Sequence, residues 1–129
     1  MNVRLLSEND LAELLRLYKH LHTSDTPLPP EPNIANVWAE IILDKRLHYF
    51  GVFIATDLVS SCNLSVIPNL TRGCKPYGMI ENVVTHPAYR RRGHGKAVIS
   101  VALDHAWKLG CYKVMLMTGR KDPAIFRFY

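Results

Sequence analysis

Long apolar runs are missing from this sequence. No stretch approaches the ~18 residues a membrane span needs, and Met1–Asp10 lacks the apolar core of a signal peptide. Those absences predict a cytoplasmic protein. Cysteine is scarce: Cys62, Cys74 and Cys111 are odd in number and include no C-x-x-C pair, too few for a disulfide framework or a thiolate zinc site. The six histidines are scattered, and His20 and His22, two apart, point to different sides of a helix. No metal site is expected. Internal repeats and low-complexity tracts are also absent. What remains is 129 residues, 48% hydrophobic and 21% charged, which suits one ordinary domain with a real core and excludes disordered and collagen-like classes.

Charge is placed unevenly. Sixteen Lys and Arg against eleven Asp and Glu give a formal charge of +5, and Arg90, Arg91, Arg92 and Lys96 supply four of the positive charges. The remainder, twelve basic against eleven acidic, is nearly neutral. A nucleic-acid surface would show a spread basic stripe with stacking aromatics, and a membrane surface a general basic coat. One short hotspot points to a smaller anionic ligand.

Hydrophobic periodicity orders the chain. Asn2–Leu6 suits a first edge strand. Ser7 to Asp10 reads S-x-x-D, a helix start, with Leu11, Leu14, Leu15, Tyr18 and Leu21 following at helical spacing. Thr23–Asn33, with Pro27, Pro29, Pro30 and Pro32, is expected to be loop. A second helix places Ile34, Val37, Trp38, Ile41 and Ile42 on one face. Strands follow at Leu47–Ala55 and Leu58–Ile67, the latter alternating Cys62, Leu64 and Val66 with Ser61, Asn63 and Ser65 as a half-buried strand does. Pro68–Pro76 is loop and Tyr77–Thr85 a third strand, ended by His86-Pro87. His94–Leu109 is an amphipathic helix with Gly110 as its C-terminal cap. Cys111–Thr118 is a strand apolar on both faces, and Asp122–Tyr129 starts a last helix. The order β-α-α-β-β-β-α-β-α predicts an α/β fold with a mixed, mostly antiparallel sheet flanked by helices.

The chemistry concentrates in Ile80–Lys96, where a strand runs through a basic loop with two glycines into a long helix. Helix-start amides lack partners, the helix dipole is positive there, and glycines let a phosphate approach the backbone. Two nucleotide motifs fail. Gly95-Lys96 is followed by Ala97 and lacks the upstream glycine of G-x-x-x-x-G-K-[ST], and Val98 stands where G-x-G-x-x-G wants its third glycine. By itself a basic glycine turn fits a solvated turn as well as a ligand site, and on the residues alone that choice stays open.

Arg90-Arg91-Arg92-Gly93-His94-Gly95 resembles the R/Q-x-x-G-x-G/A signature of the GNAT superfamily of acyl-CoA-dependent N-acyltransferases, after a V-x-x-P approach at Val84 and Pro87. The element order is similar along the whole chain. Asp122, Ile125, Phe128 and Tyr129 sit at the spacing of the family's Asn-x-x-Ala-x-x-Phe/Leu-Tyr, with the first two positions changed. The family's usual Gly-Phe and last two strands do not follow, so 1–129 is expected to be a single N-acetyltransferase domain truncated at its C-terminus.

The resemblance implies acetyl-CoA as cosubstrate, no metal, and direct attack by an amine of a small molecule or protein. It assigns the CoA pyrophosphate to the loop Arg90, Arg91, Arg92, Gly93, His94, Gly95 and Lys96. The pantetheine arm falls to the strand edge Val83, Val84 and Thr85, which requires the following strand to splay away. An amide near Val83 would face the oxyanion. Glu81, interrupting an apolar strand on the face of Met79 and Val83, is the candidate base, directly or through water, against a plain ion-paired carboxylate. Tyr129 is the candidate acid for the leaving thiolate, against a packing tyrosine. His86 and His94 flank the loop and are read as solvent or phosphate ligands, Cys62 and Cys111 as small core hydrophobes. A non-catalytic acyl-CoA-binding module is the alternative, followed by a nucleic-acid binder using the basic loop. An unfinished sheet edge also favours a homodimer.

Overall fold

The computed structural model describes residues 1–22 and 24–117. Five strands form one sheet in the order β1 (Asn2–Leu5), β2 (Leu47–Ile54), β3 (Asp57–Ile67), β4 (Tyr77–Thr85) and β5 (Val114–Leu116). The first four pair antiparallel and β5 joins β4 parallel, as the meander followed by a helical crossover requires. Helices α1 (Leu11–Tyr18) and α2 (Glu31–Leu43) cover one face, and α4 (His94–Lys108) covers the other.

The faces are built differently. Val98, Ala102 and Ala106 recur every four residues on α4 and are fully buried, so small side chains bring the helix close to Phe50, Cys62, Leu64 and Ile80. Opposite, Leu14 and Leu17 of α1 and Trp38 of α2 pack on Leu6, Phe53, Leu58 and Val84. The expected start of α1 is present: the Asp10 carboxylate accepts from the Ser7 amide at 2.7 Å and is held by Arg4 at 2.8 and 3.1 Å. Gly110 closes α4 at φ +86°.

Several expectations change. Helix α2 begins at Glu31, taking in Pro32, because a proline in the first turn sacrifices an amide that has no helical partner anyway. Only Trp38 of its five marked residues is fully buried, while Val37 and Ile42 face outward. Leu21 lies beyond the end of α1, and Leu17 takes the buried place. The strand β3 is not half-exposed: it is the middle strand with helices on both faces, so Ser60, Ser61 and Asn63 are buried too. Their polar groups are satisfied locally, Ser61 Oγ donating to the Phe50 carbonyl at 2.7 Å and Ser60 Oγ to that of Val84 at 3.0 Å. Residues 68–76 contain one short helical element, α3 (Thr71–Cys74), with Arg72, Gly73 and Cys74 all at positive φ. The stretch Asp122–Tyr129, where a last helix is expected, lies outside the described residues.

Candidate functional site

The site begins past the described pairing of β4 with β5. Their pairing runs Gly78↔Val114, Met79↔Met115 and Ile80↔Leu116, and the Met117 amide donates to the Ile80 carbonyl at 2.9 Å. In that parallel register the partners of Glu81–Thr85 would be residues 117–121, of which only Met117 is described, so the splay that the sequence required falls at the limit of the described residues. The β3 side stays paired, with Glu81 opposite Asn63, Val84 opposite Ser61 and Thr85 opposite Ser60. Two residues, Asn82 and Val83, therefore stand opposite the single Cys62. This is a β-bulge, and Asn82 holds φ +53° in it.

The bulge corrects one expectation and refines another. Glu81 does lie on the face of Met79, but Val83 does not: the extra residue shifts the alternation. Val83 packs with the α4 core and Val84 with the α1–α2 core. Backbone direction follows the same count. The His86 amide donates to the Val59 carbonyl at 2.8 Å, so His86 and Val84 turn their backbones to β3 while Val83 and Thr85 turn theirs away from it. Val84 is thus a wall residue with a buried side chain rather than a backbone partner for a ligand. The Thr85 carbonyl is occupied by Arg90 Nε at 3.2 Å.

Beyond Thr85 the chain turns through a 3-10 turn at Pro87–Tyr89, with the Ala88 amide donating to His86 Nδ1 at 3.1 Å. It then enters the basic loop. Arg91 has φ +65° and Gly93, the N-cap of α4, has φ +82°. The first helical bond of α4 runs from the Ala97 amide to the Gly93 carbonyl at 3.0 Å. No acceptor among the described residues takes the amides of Arg91, Arg92, Gly93, His94, Gly95 or Lys96. Six consecutive unspent donors at a helix N-terminus, rimmed by four exposed cations, form a cradle for a polyanion. Arg92 lies over the Tyr89 ring at 5.7 Å, and His94 turns inward against Tyr89, buried, its Nδ1 without a partner. The residues present fit a diphosphate on the amides and an extended amide-bearing arm along the Val83 edge.

On the α1–α2 face, Tyr49, Asn63 and Glu81 sit directly opposite one another across β2, β3 and β4. Asn82 Nδ2 donates to Asn63 Oδ1 at 2.9 Å, and Trp38 meets the Tyr49 ring edge-on at 5.4 Å. Burial pushes the Tyr49 phenol up, and the Glu81 carboxylate adds to that push. Burial likewise raises Tyr18, whose hydroxyl has no partner among the described residues. Sequence reading marked Glu81 here and missed Tyr49, Asn63 and Asn82. The one available signal was a second polar residue after Glu81 in an otherwise apolar strand.

The remaining candidates fall as follows. Cys62 is buried on β3, its thiol pushed up to about 12 by burial, and Cys111 is buried just ahead of β5, its thiol also raised. Neither has the electropositive setting of a nucleophile. Four histidines meet in pairs, His20 with His86 and His48 with His105, each with ring centroids 4.6 Å apart. Among the described residues no three His, Cys, Asp or Glu side chains could hold a metal ion, and no helix is long and apolar enough to cross a membrane. Tyr129 lies outside the described residues.

Comparison with known proteins gives this geometry its class. The family model for the acetyltransferase (GNAT) family matches residues 11–129. A glucosamine 6-phosphate N-acetyltransferase of Trypanosoma brucei brucei is 35% identical over 128 residues, which is 95% of this chain and 82% of that protein. A solved Agrobacterium tumefaciens protein superposes with a TM-score of 0.92 at 40% identity, covering 100% of this chain and 89% of the other. An acetyltransferase structure from Trypanosoma brucei gives 0.80 at 32% identity, covering 98% and 89%. The chain belongs to the GNAT family and is an acyl-CoA-dependent N-acetyltransferase.

Proposed function

We propose that this enzyme moves the acetyl group of acetyl-CoA to the primary amine of a small phosphorylated amino sugar, by direct attack with both substrates bound. Glucosamine 6-phosphate is the first acceptor to test, because the relative that matches 95% of the chain is named for it. The observation that carries the reading is the run of six amides beginning α4 that find no acceptor among the described residues, joined through Thr85 to the Val83 backbone turned away from β3. A diphosphate and a pantetheine arm have that sequence of needs, and a nucleic-acid surface does not.

The chain's residues divide the work. The amides of Arg91–Lys96 hold the diphosphate, with Arg90, Arg91, Arg92 and Lys96 adding attraction at longer range. The Val83 backbone pairs with the arm, and its amide donates to the thioester carbonyl oxygen as negative charge builds there. Glu81 accepts the proton that the ammonium must lose, directly or through water, so that the nitrogen lone pair can bond the carbonyl carbon while the carbon–sulfur bond breaks. The departing sulfur then takes a proton, with Tyr129 the candidate donor, and the second proton that the nitrogen sheds as the amide forms restores that donor.

The test is thiol release from acetyl-CoA with glucosamine 6-phosphate, glucosamine and a simple alkylamine, beside calorimetric CoA binding. Release that depends on the phosphorylated amino sugar supports the reading. Tight CoA binding with no release on any amine would replace it with a non-catalytic acyl-CoA-binding module. The Glu81→Gln variant should keep CoA affinity while turnover falls roughly 100-fold or more and the acidic limb of the pH–rate profile disappears. Unchanged turnover would remove Glu81 as base.

A further inference from the structure

We propose that the Asn63–Asn82 amide pair is a positioning device: it fixes the bulge of β4 and thereby sets the Val83 backbone relative to Glu81. The inference rests on the acetyl-transfer reading above and deepens it.

A bulge by itself is poorly anchored. Between the pairs Glu81↔Asn63 and Val84↔Ser61, β4 has one residue too many, and the extra residue could move along the strand at small cost. Two features stop it here. The first is conformational. Asn82 sits at φ +53°, a region that asparagine tolerates and β-branched residues do not. Val83, Val84 and Thr85 all follow Asn82, so the left-handed residue cannot migrate toward the loop. The second is lateral. Asn82 Nδ2 donates to Asn63 Oδ1 at 2.9 Å across the strands, and Asn63 is itself buried at 6% exposure on the middle strand of the sheet. A buried amide left unpaired costs about 1–3 kcal/mol, so the buried Asn63 holds the exposed Asn82 in place.

The position of that lock matters for chemistry. Among the described residues pairing with β5 ends at Ile80, Glu81 faces the α1–α2 side, and Val83 turns its backbone away from β3. The candidate base and the candidate oxyanion donor therefore flank Asn82. A bulge free to shift would misplace one against the other, and errors near 1 Å at a reacting centre cost up to about 100-fold.

Three variants test this: Asn82→Gly, which keeps the left-handed backbone and removes the amide, Asn63→Ala, and the double. Hydrogen exchange in the ligand-free protein reads the lock directly. The Glu81 and Val84 amides, paired to β3, should exchange at least roughly tenfold faster in each single variant, with Ile80 unchanged. In thiol release with acetyl-CoA and glucosamine 6-phosphate, kcat should fall roughly tenfold or more while CoA affinity, set at the cradle, stays within about twofold. The double should be no worse than the poorer single, because the two side chains act as one unit. Unchanged exchange at Glu81 and Val84, or a kcat loss in the double equal to the product of the singles, would overturn the proposal. If the wild type releases no thiol from this acceptor, the acceptor reading fails, and the exchange result alone decides the fate of the lock.

Discussion

Gly93 offers the sharpest test of the cradle, because its environment separates strain from collision. It caps α4 at φ +82°, and a Cβ built there meets nothing within 4 Å. Replacing Gly93 with Ala therefore introduces no clash. The cost is conformational, about 1–2 kcal/mol for a left-handed alanine. That energy must appear in one of two places. If the loop keeps its shape, the strain lowers stability, and for a chain of this length about 1–2 kcal/mol corresponds to a Tm loss of roughly 4–7 °C. If the loop relaxes to negative φ, stability recovers, but the amides after Gly93 swing away and CoA affinity falls by roughly five- to thirtyfold. Calorimetric CoA binding and thermal unfolding on one preparation measure both. Gly93→Asn should recover much of the loss, since asparagine accepts the left-handed region. An alanine variant with wild-type Tm and wild-type affinity would refute the role given to this loop.

Three further outcomes follow from burial and charge. The Arg4 guanidinium holds the Asp10 carboxyl at about 2, below its ordinary 3.8, so Asp10→Asn should cost about 1–2 kcal/mol after allowance for half-exposed Arg4. Because the folded value is depressed, that stability is present above about pH 4 and is lost as pH falls toward 2, which unfolding of both proteins across that window would show. Burial holds His48 below its ordinary 6.5, with the neighbouring His105 adding to the effect. Folded protein resists the proton that unfolded chain accepts, so stability should decline as pH drops below 6.5, and His48→Gln should flatten that decline in Tm between pH 7.5 and 5. At Gly51 a Cβ would lie 2.5 Å from Leu58 and 2.7 Å from Leu6, so Gly51→Ala should cost about 1–3 kcal/mol in denaturant unfolding, and a neutral result would mean those leucines repack freely.

The sequence made the scaffold and the cradle legible because both are written in local signals. Periodicity drew β4 at its observed bounds and α4 to within one residue, and the Arg90–Gly95 signature lies on the helix start it predicted. The α2 start was displaced because Pro32 was read as a breaker, whereas a first-turn proline does not break a helix. Burial of Ser61 and Asn63 could not be read from β3 alone. Alternating polarity describes one exposed face, and covering that face depends on α1 and α2, whose own residues carry no record of the contact.

The bulge marks where local reading stops. A strand's alternation assigns faces only while the register holds, and one extra residue reverses every assignment beyond it. The pattern Met79, Glu81, Val83 looks like one face, but Asn82 inserts itself and sends Val83 to the other. Nothing in Ile80–Thr85 announces this except asparagine between a carboxylate and two valines. Asparagine there is also what an ordinary exposed strand position would show. The partner that gives Asn82 its meaning, Asn63, is nineteen positions away in sequence and in contact only across the ladder. Glu81 is therefore identifiable from the residue type alone, while its relation to the Val83 amide, on which the proposed chemistry depends, exists only in the folded register.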